Sequence, residues 1–146
     1  MRITTKGRYG LRAVVNLAAQ SEGEPVPLSR IAREEEVSSQ FLEQIFFSLK
    51  RAGLVRSVRG PRGGFILSRS ADEITVSDIL AAVDESLLLV PCTSDGEQSD
   101  CDRKDECPTY PMWRALSELL QGFFGGITIQ HLVDRNSEPL QRLSAS

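Results

Sequence analysis

The order of hydrophobic patterns in residues 7–67 constrains the fold of this chain more than any other feature. Apolar residues recur at helical spacing in three segments, 7–20, 28–35 and 39–52. Two shorter segments then alternate apolar and polar residues, 54–58 and 65–67. Ser38 or Ser39 can cap the third helix, and Gly53 is suited to end it. Three helices followed by a glycine-linked hairpin are the order of a winged helix-turn-helix.

The remaining half of the chain is also helical in pattern. Residues 71–83 predict a connecting helix that Thr75 can cap. From Pro111 onward, a long helix carries a wide apolar face that includes Trp113, Phe123 and Phe124. We therefore expect a mainly α fold with a small β-hairpin wing. Its parts are a winged helix-turn-helix DNA-binding domain (1–70), a connecting helix and cysteine loop (71–107), a dimerisation helix (108–135) and a flexible polar tail (136–146).

Charge is distributed unevenly along the chain. Residues 1–70 hold 12 Lys and Arg against 6 Asp and Glu, a net charge of +6. Residues 71–146 hold 5 against 14, a net charge of −9, which agrees with the total of −3. A basic first half indicates that this half binds a polyanion, and a winged helix makes double-stranded DNA the expected partner.

The candidate DNA contacts lie on the third helix and on the hairpin. Gln40 and Gln44 can bond adenine in the major groove, and Glu43 can accept from a cytosine amino group. Arg59 and Arg62 flank the hairpin tip, where arginine can enter a narrow minor groove. The full set of candidate DNA-binding residues is Ser38, Ser39, Gln40, Glu43, Gln44, Arg59 and Arg62.

Three cysteines lie in one polar loop, with eight residues between Cys92 and Cys101 and five between Cys101 and Cys107. Three cysteines in a chain without an apolar leader segment indicate free thiols or metal ligands rather than a disulfide framework. Zinc sites usually bring their ligands in two close pairs, which are absent here, whereas iron–sulfur clusters accept wider spacing. Spacing favours a cluster only slightly, so zinc and unrelated exposed thiols remain alternatives.

The chain resembles the IscR/NsrR-type family of bacterial winged-helix regulators over residues 1 to about 135. The segments that carry the resemblance are 1–13, 41–44, 53–61, 63–64, 82–86 and 113–116. Members of that family bind DNA as homodimers and hold an iron–sulfur cluster on three cysteines of this loop. The resemblance implies that Cys92, Cys101 and Cys107 are cluster ligands, with [2Fe–2S] favoured and [4Fe–4S] as the alternative.

This sequence departs from the family pattern at the cysteine spacing and at the fourth ligand. The usual spacing is five and five residues, but the first gap here has eight. IscR-type members have a histidine where this chain has Tyr110, and NsrR-type members use an acidic residue near position 8, where Arg8 stands. Other candidates for the fourth ligand are Asp100, Asp102, Asp105, Glu106, Tyr110, an exogenous thiol or water. His131 lies beyond the long helix and is expected to be a surface or packing residue.

The leading hypothesis is a cytoplasmic, homodimeric transcriptional regulator whose operator binding is controlled by an iron–sulfur cluster, in iron–sulfur homeostasis or in redox or nitric oxide sensing. The same DNA-binding fold with a thiol-redox or zinc switch is the alternative. An electron carrier or cluster-transfer protein is a third hypothesis, which the basic first half and the wing disfavour. The longest run of large apolar residues, 87–90, is too short for a membrane span. No hydrolytic constellation surrounds the single histidine, so we expect no enzyme.

Overall fold

The computed structural model describes residues 2–94, 101–135 and 138–145 and confirms the expected mainly helical fold with a hairpin wing. The helices in these ranges are α1 (Thr5–Ser21), α2 (Leu28–Glu34), α3 (Ser39–Arg51), α4 (Val76–Ala82), α5 (Tyr110–Gly126), α6 (Ile129–Val133) and α7 (Glu138–Ser144). Strands β1 (Val55–Val58) and β2 (Gly64–Leu67) pair antiparallel. Two short 3₁₀ turns, Pro91–Thr93 and Lys104–Glu106, lie in the cysteine loop.

Hydroxyl side chains begin four of the helices. Thr4, Ser38, Thr75 and Thr128 each accept a hydrogen bond from the backbone N–H three residues later, at the starts of α1, α3, α4 and α6. Of the two serines that could cap α3, Ser38 is the one that does so. Gly53 has a φ of 77° directly after α3, a left-handed conformation that suits glycine and ends the helix there.

One apolar core joins α1, α2, α3 and the wing to α4 and α6. Its largest fully buried side chains are Phe46, Leu17, Ile31, Leu42, Ile45, Leu49, Ile74, Ile79, Ile129, Val14 and Val55. Ile74 and Ile129 belong to this core although they lie far beyond residue 70. Residues 1–70 therefore share their core with segments that lie before and after the long helix.

The wing, the hairpin of β1 and β2, contacts both α3 and the segment before α2. Val26 pairs with the hairpin at a single bridge, through reciprocal backbone hydrogen bonds with Phe65 of 2.8 and 2.9 Å. The Phe65 ring packs edge-to-face on Phe46 of α3, with 4.9 Å between the ring centroids. Lys50 Nζ of α3 donates to Ser57 Oγ of β1 at 3.0 Å. These contacts set the position of the wing relative to α3.

The C-terminal end of α5 is fixed to this body. Val76, Leu80 and Ile127 form a second buried cluster against which Phe123 and Phe124 pack. The Val76 backbone N–H donates to the Ile127 carbonyl at 2.9 Å, which joins the start of α4 to the end of α5. No helix in the described ranges is both long and apolar enough to cross a membrane.

The segment 136–146, expected from sequence to be a flexible tail, contains a helix that the sequence pattern did not predict. Residues Glu138–Ser144 form the helix α7, and Leu140 packs against the second cluster. A single apolar side chain that finds a place on a preformed surface can stabilise a short polar helix, because packing overrides weak local propensity. Residues 136, 137 and 146 lie outside the described residues.

Candidate DNA interface and cysteine loop

The solvent-facing side of α3 carries the polar residues that the sequence singled out. Ser39, Gln40, Glu43 and Gln44 are exposed, while Leu42, Ile45, Phe46 and Leu49 face the core. The Ser38 hydroxyl accepts a hydrogen bond from the Phe41 N–H at 3.1 Å and is therefore the N-cap of α3. Its own proton can still be donated, for example to a phosphate. The helix thus presents amide and carboxylate groups that can distinguish base edges in a major groove.

Two residues on this side of α3 were not among the candidates from sequence. Phe47 has 66% of its surface exposed although it is a large apolar residue. Arg51 places its guanidinium carbon 5.9 Å from the centroid of the Phe47 ring. The exposure of Phe47 could have been predicted from helical spacing, because Phe47 lies one turn after Glu43 and outside the buried stripe of α3.

The wing holds its two candidate arginines in solvent. Arg59 and Arg62 are exposed on either side of Gly60, whose φ of 113° is a left-handed conformation that favours glycine. The Gly63 N–H donates to the Gly60 carbonyl at 2.9 Å and closes the tip. Of the 12 cationic residues in the first half of the chain, Arg12 and Arg30 form ion pairs within the described structure. Arg59 and Arg62 have no such pair there, so their charges are available for phosphates.

The first cysteine lies on a turn that is attached to the long helix. Cys92 is half-buried in the 3₁₀ turn Pro91–Thr93. Ser117 of α5, itself buried, donates from its hydroxyl to Thr93 Oγ1 at 3.2 Å. This hydrogen bond joins the start of the cysteine loop to the middle of α5.

The last cysteine leads directly into α5. The Tyr110 N–H donates to the Cys107 carbonyl at 3.3 Å where the helix begins. Hydrogen bonds from the Thr109 hydroxyl and backbone N–H, with a smaller one from the Tyr110 N–H, lower the pKa of the Cys107 thiol. A lowered pKa favours the thiolate, which is the form that binds metals.

The three cysteines are free thiols and each is half-buried. Within residues 2–94, 101–135 and 138–145, no three His, Cys, Asp or Glu side chains converge as a metal-binding group. Of the acids considered as a fourth ligand, Asp102, Asp105 and Glu106 are exposed, whereas Asp100 lies outside the described residues.

Glu85 connects the segment before the cysteine loop to the first helix, a contact that sequence reasoning missed. Its carboxylate accepts hydrogen bonds from the backbone N–H of Thr4, at 3.2 Å to each oxygen, and from the Thr4 hydroxyl. Gly7 lies beside it, and a Cβ at that position would force the Glu85 carboxylate to move. The only sequence signal was that Glu85 belongs to the segment 82–86 that carries the family resemblance.

An apolar stripe on α5 is left uncovered in the single chain. Met112, Leu116 and Leu119 follow one another at helical spacing and are 54, 39 and 59% exposed. Phe123 continues the stripe and is partly covered by the second cluster. A stripe of this kind indicates a surface that another apolar surface covers.

The comparison with known families decides the identity of the chain. The model of the Rrf2 family, described as iron-dependent transcriptional regulators, matches residues 3–135. The chain belongs to the Rrf2 family. It is therefore a DNA-binding transcriptional regulator and not an enzyme.

Curated relatives of this Rrf2 regulator carry the name IscR. The chain is 44% identical over 140 residues to the transcriptional regulators IscR of Cronobacter sakazakii and of Escherichia coli K12. Each match covers 96% of this chain and 84% of the relative. The IscR/NsrR-type resemblance is thereby confirmed.

Solved structures of similar fold come from two kinds of regulator. CymR of B. subtilis, described as a global cysteine regulator, has a TM-score of 0.76 at 29% identity, over 93% of this chain and 98% of its own. IscR of T. potens has a TM-score of 0.72 at 30% identity, over 97% and 91%. The Rrf2 fold thus occurs in regulators with different named roles, so the fold alone does not identify what the cysteine loop binds.

The two positions at which related regulators have a fourth ligand differ in their surroundings in this Rrf2 regulator. Tyr110 is half-buried at the start of α5, with Lys104 Nζ 5.1 Å from its ring centroid. Arg8 is exposed on α1. His131, which was expected to be a surface or packing residue, closes a capping box, because its Nδ1 accepts from the Thr128 N–H at 3.1 Å.

Proposed function

We propose that this Rrf2 regulator is a homodimer whose affinity for a DNA operator is controlled by an iron–sulfur cluster on Cys92, Cys101 and Cys107. The observation that carries the proposal is the set of three free, half-buried thiols on a loop attached to the base of α5. The 44% identity to regulators named IscR supports it. The signals considered are iron–sulfur status, redox state and nitric oxide.

The donor set fits a cluster by its chemistry. Iron–sulfur clusters are held by cysteine thiolates, and the three thiols are unpaired and partly accessible to solvent. The lowered pKa of Cys107 favours the thiolate at that position. When bound, a cluster would cross-link the two ends of the loop. Oxidants or nitric oxide could break this cross-link by destroying the cluster.

Residues of the chain connect this loop to both functional surfaces. Cys107 leads into α5, and the Thr93–Ser117 hydrogen bond attaches the turn of Cys92 to the same helix. Glu85, seven residues before Cys92, holds the N-terminus of α1. If the loop became ordered or disordered, the populations of alternative positions of α5 and α1 would change. The affinity for DNA would change with them.

The proposed homodimer uses the uncovered stripe of α5. Pairing two copies of Met112, Leu116 and Leu119 would remove these side chains from water. A two-fold dimer would present two α3 helices and two wings to a near-palindromic operator. In such a dimer, a change in the position of α5 alters the spacing of the two DNA-binding surfaces.

For the proposed DNA contact, α3 lies in the major groove with Gln40, Glu43 and Gln44 towards the bases. Ser38 and Ser39 are placed near phosphates at the start of the helix, and the wing carries Arg59 and Arg62 into the minor groove. The exposure of these residues supports the assignment.

The experiment that tests the proposal is anaerobic purification with iron, sulfide and zinc counts and an optical spectrum. We expect about two or four irons per chain and visible absorption in the wild type, and loss of both in Cys92→Ala, Cys101→Ala and Cys107→Ala, because two thiolates hold such a cluster poorly. Tyr110→Phe tests the fourth position, since it removes only a hydroxyl and should keep the iron if Tyr110 is not a ligand. A protein that retains its full iron content after losing any of the three cysteines would contradict the assignment.

A thiol-redox or zinc switch on the same fold is the second candidate. The lowered pKa of Cys107 favours it, because thiolates are the reactive form in oxidation and also bind zinc. Bound zinc without visible absorption, or a disulfide that changes DNA affinity in iron-free protein, would favour this candidate over the cluster.

A further inference from the structure

Phe47 is the exposed aromatic residue on the recognition helix, and we propose that it determines specificity by contacting the 5-methyl group of a thymine in the operator. The ring is 66% exposed on α3. The proposal goes beyond the polar contacts assigned above and depends on α3 being the helix that enters the major groove.

The position of Phe47 continues the proposed base-reading surface. Residues 40, 44, 47 and 51 succeed one another at helical spacing and therefore share one side of α3. Phe47 lies about one turn, roughly 6 Å along the axis, beyond Glu43. If Gln40 and Gln44 meet base edges, the Phe47 ring faces the same groove wall next to them.

The surroundings of Phe47 favour DNA over an apolar protein surface. An open cleft of about 700 Å³ beside α3 is lined by Lys6, Gln40, Glu43, Gln44, Phe47, Ser48, Arg51 and Asp84. Phe47 is the large apolar member of a lining that is otherwise polar or charged. A protein-binding patch would bring several apolar side chains together, as the stripe on α5 does.

Arg51 supports the same occupant. Its guanidinium carbon lies 5.9 Å from the ring centroid of Phe47. An arginine at this place can pair with a phosphate of the groove wall while the ring beside it faces the bases. Phenylalanine has no donor or acceptor, so it cannot read the polar pattern of a base edge. Thymine alone among the four bases presents a methyl group in the major groove, and apolar side chains recognise it there.

The test compares thymine with deoxyuridine, which lacks only that methyl group. A duplex is first selected from randomised DNA with the wild-type protein, and each thymine of one half-site is then replaced singly by deoxyuridine. We expect one replacement to weaken wild-type binding roughly four-fold, the effect of one buried methyl group. Phe47→Ala should bind both duplexes equally, and Phe47→Leu should keep part of the difference.

The comparison is a ratio within each variant, so a change in the active fraction of a preparation cancels. Leu88→Ala removes another exposed apolar side chain, outside the proposed interface, and should keep the wild-type ratio. A wild type that shows no difference at any thymine, or a Phe47→Ala that keeps the four-fold ratio, would overturn the inference. Selection from randomised DNA with Gln44→Ala separates this inference from the assignment of α3. If Gln44→Ala selects a different site but Phe47→Ala keeps the ratio, only the inference about Phe47 is wrong. If Gln44→Ala selects the wild-type site and Phe47→Ala keeps the ratio, the assignment of α3 to the major groove is wrong as well.

Discussion

In the proposed DNA-binding surface, some side chains stabilise the fold and others are proposed to contact DNA. Ser38 shows the first task, because its hydroxyl is bonded to the Phe41 N–H. Lys50 also serves the fold, since its ammonium group donates to Ser57 and joins α3 to the wing. Arg59 and Arg62 show the second, because they are exposed and the described structure gives them no ion pair. Substituting a charged residue that has no partner within the protein changes folding stability little. The effect of such a substitution on DNA affinity therefore reports on binding.

Arg59→Ala should weaken operator binding by roughly 1–3 kcal/mol and lower the salt dependence of binding. The physical reason is that a charged group at the tip of a wing loses its contact in a narrow, strongly negative groove. Fluorescence anisotropy titrations at several salt concentrations measure both effects.

Arg33→Ala is the matched control for Arg59, because it removes the same charge from an exposed position of α2. Thermal unfolding should be the same for both variants and for the wild type. Equal operator affinity of Arg59→Ala and the wild type would remove Arg59 from the interface.

Among the elements, α5 combines two kinds of contact. Its C-terminal part packs through Phe123 and Phe124 against the second cluster, whereas Met112, Leu116 and Leu119 face solvent in the single chain. The buried Ser117 attaches the same helix to the cysteine loop. A helix that contacts the loop with one side and a second copy with another can transmit a change between them.

Leu119→Glu should convert the proposed dimer into a monomer at micromolar concentration. The carboxylate would have to be buried without a partner between two apolar stripes, which costs several kcal/mol. Sedimentation velocity measures the outcome, and circular dichroism should show unchanged helix content because Leu119 is 59% exposed in the single chain.

Gln121→Glu is the control for this helix, because it adds the same charge on the opposite, exposed side of α5. It should leave the dimer intact. A Leu119→Glu protein that remains dimeric would place the interface elsewhere on the molecule.

At the scale of the whole molecule, a polar junction joins α1 to α2. Asn16 Nδ2 of α1 donates to Glu34 at 3.0 Å and to Glu35 at 2.9 Å. Arg12 also pairs with Glu35 at 2.8 Å. Hydrogen bonds from Asn16, and then from Arg30, lower the pKa of Glu34 below its ordinary value of 4.5.

Glu34→Gln should therefore destabilise the protein near neutral pH but not in acid. A carboxyl group whose folded-state pKa is lowered stabilises the fold above its unfolded pKa, and this contribution disappears as the pH falls through the lowered value. Urea denaturation of the wild type and Glu34→Gln should show a difference in unfolding free energy at pH 6 that shrinks as the pH is lowered below 4.5.

The matched variant Glu24→Gln changes an exposed carboxyl group of the same half of the chain and should not reproduce this pH dependence. If the difference between Glu34→Gln and the wild type stays constant from pH 6 into the acid range, the junction does not act through the charge of Glu34.

Local signals in the sequence predicted most elements, because a cap or a turn depends on residues within a few positions. Ser38 and Thr75 begin their helices as expected, and Gly53 ends α3. Residues 138–144 were missed, because α7 depends on Leu140 reaching a surface built by distant elements. Phe47 was not predicted as a DNA contact, because its side chain has no hydrogen-bond donor or acceptor, although its position in the helix places it outside the buried stripe.

The helix order, the caps, the hairpin and the polar side of α3 could be predicted from the sequence, because periodicity and capping hydrogen bonds depend on residues close together in the chain. Contacts between segments that are far apart in the chain could be found only in the folded structure. Thr4 and Glu85 are 81 positions apart, and no local pattern pairs them. Ser117 likewise meets Thr93 only because α5 packs on the turn before it. These long-range contacts join the cysteine loop to α5 and the segment before the loop to α1.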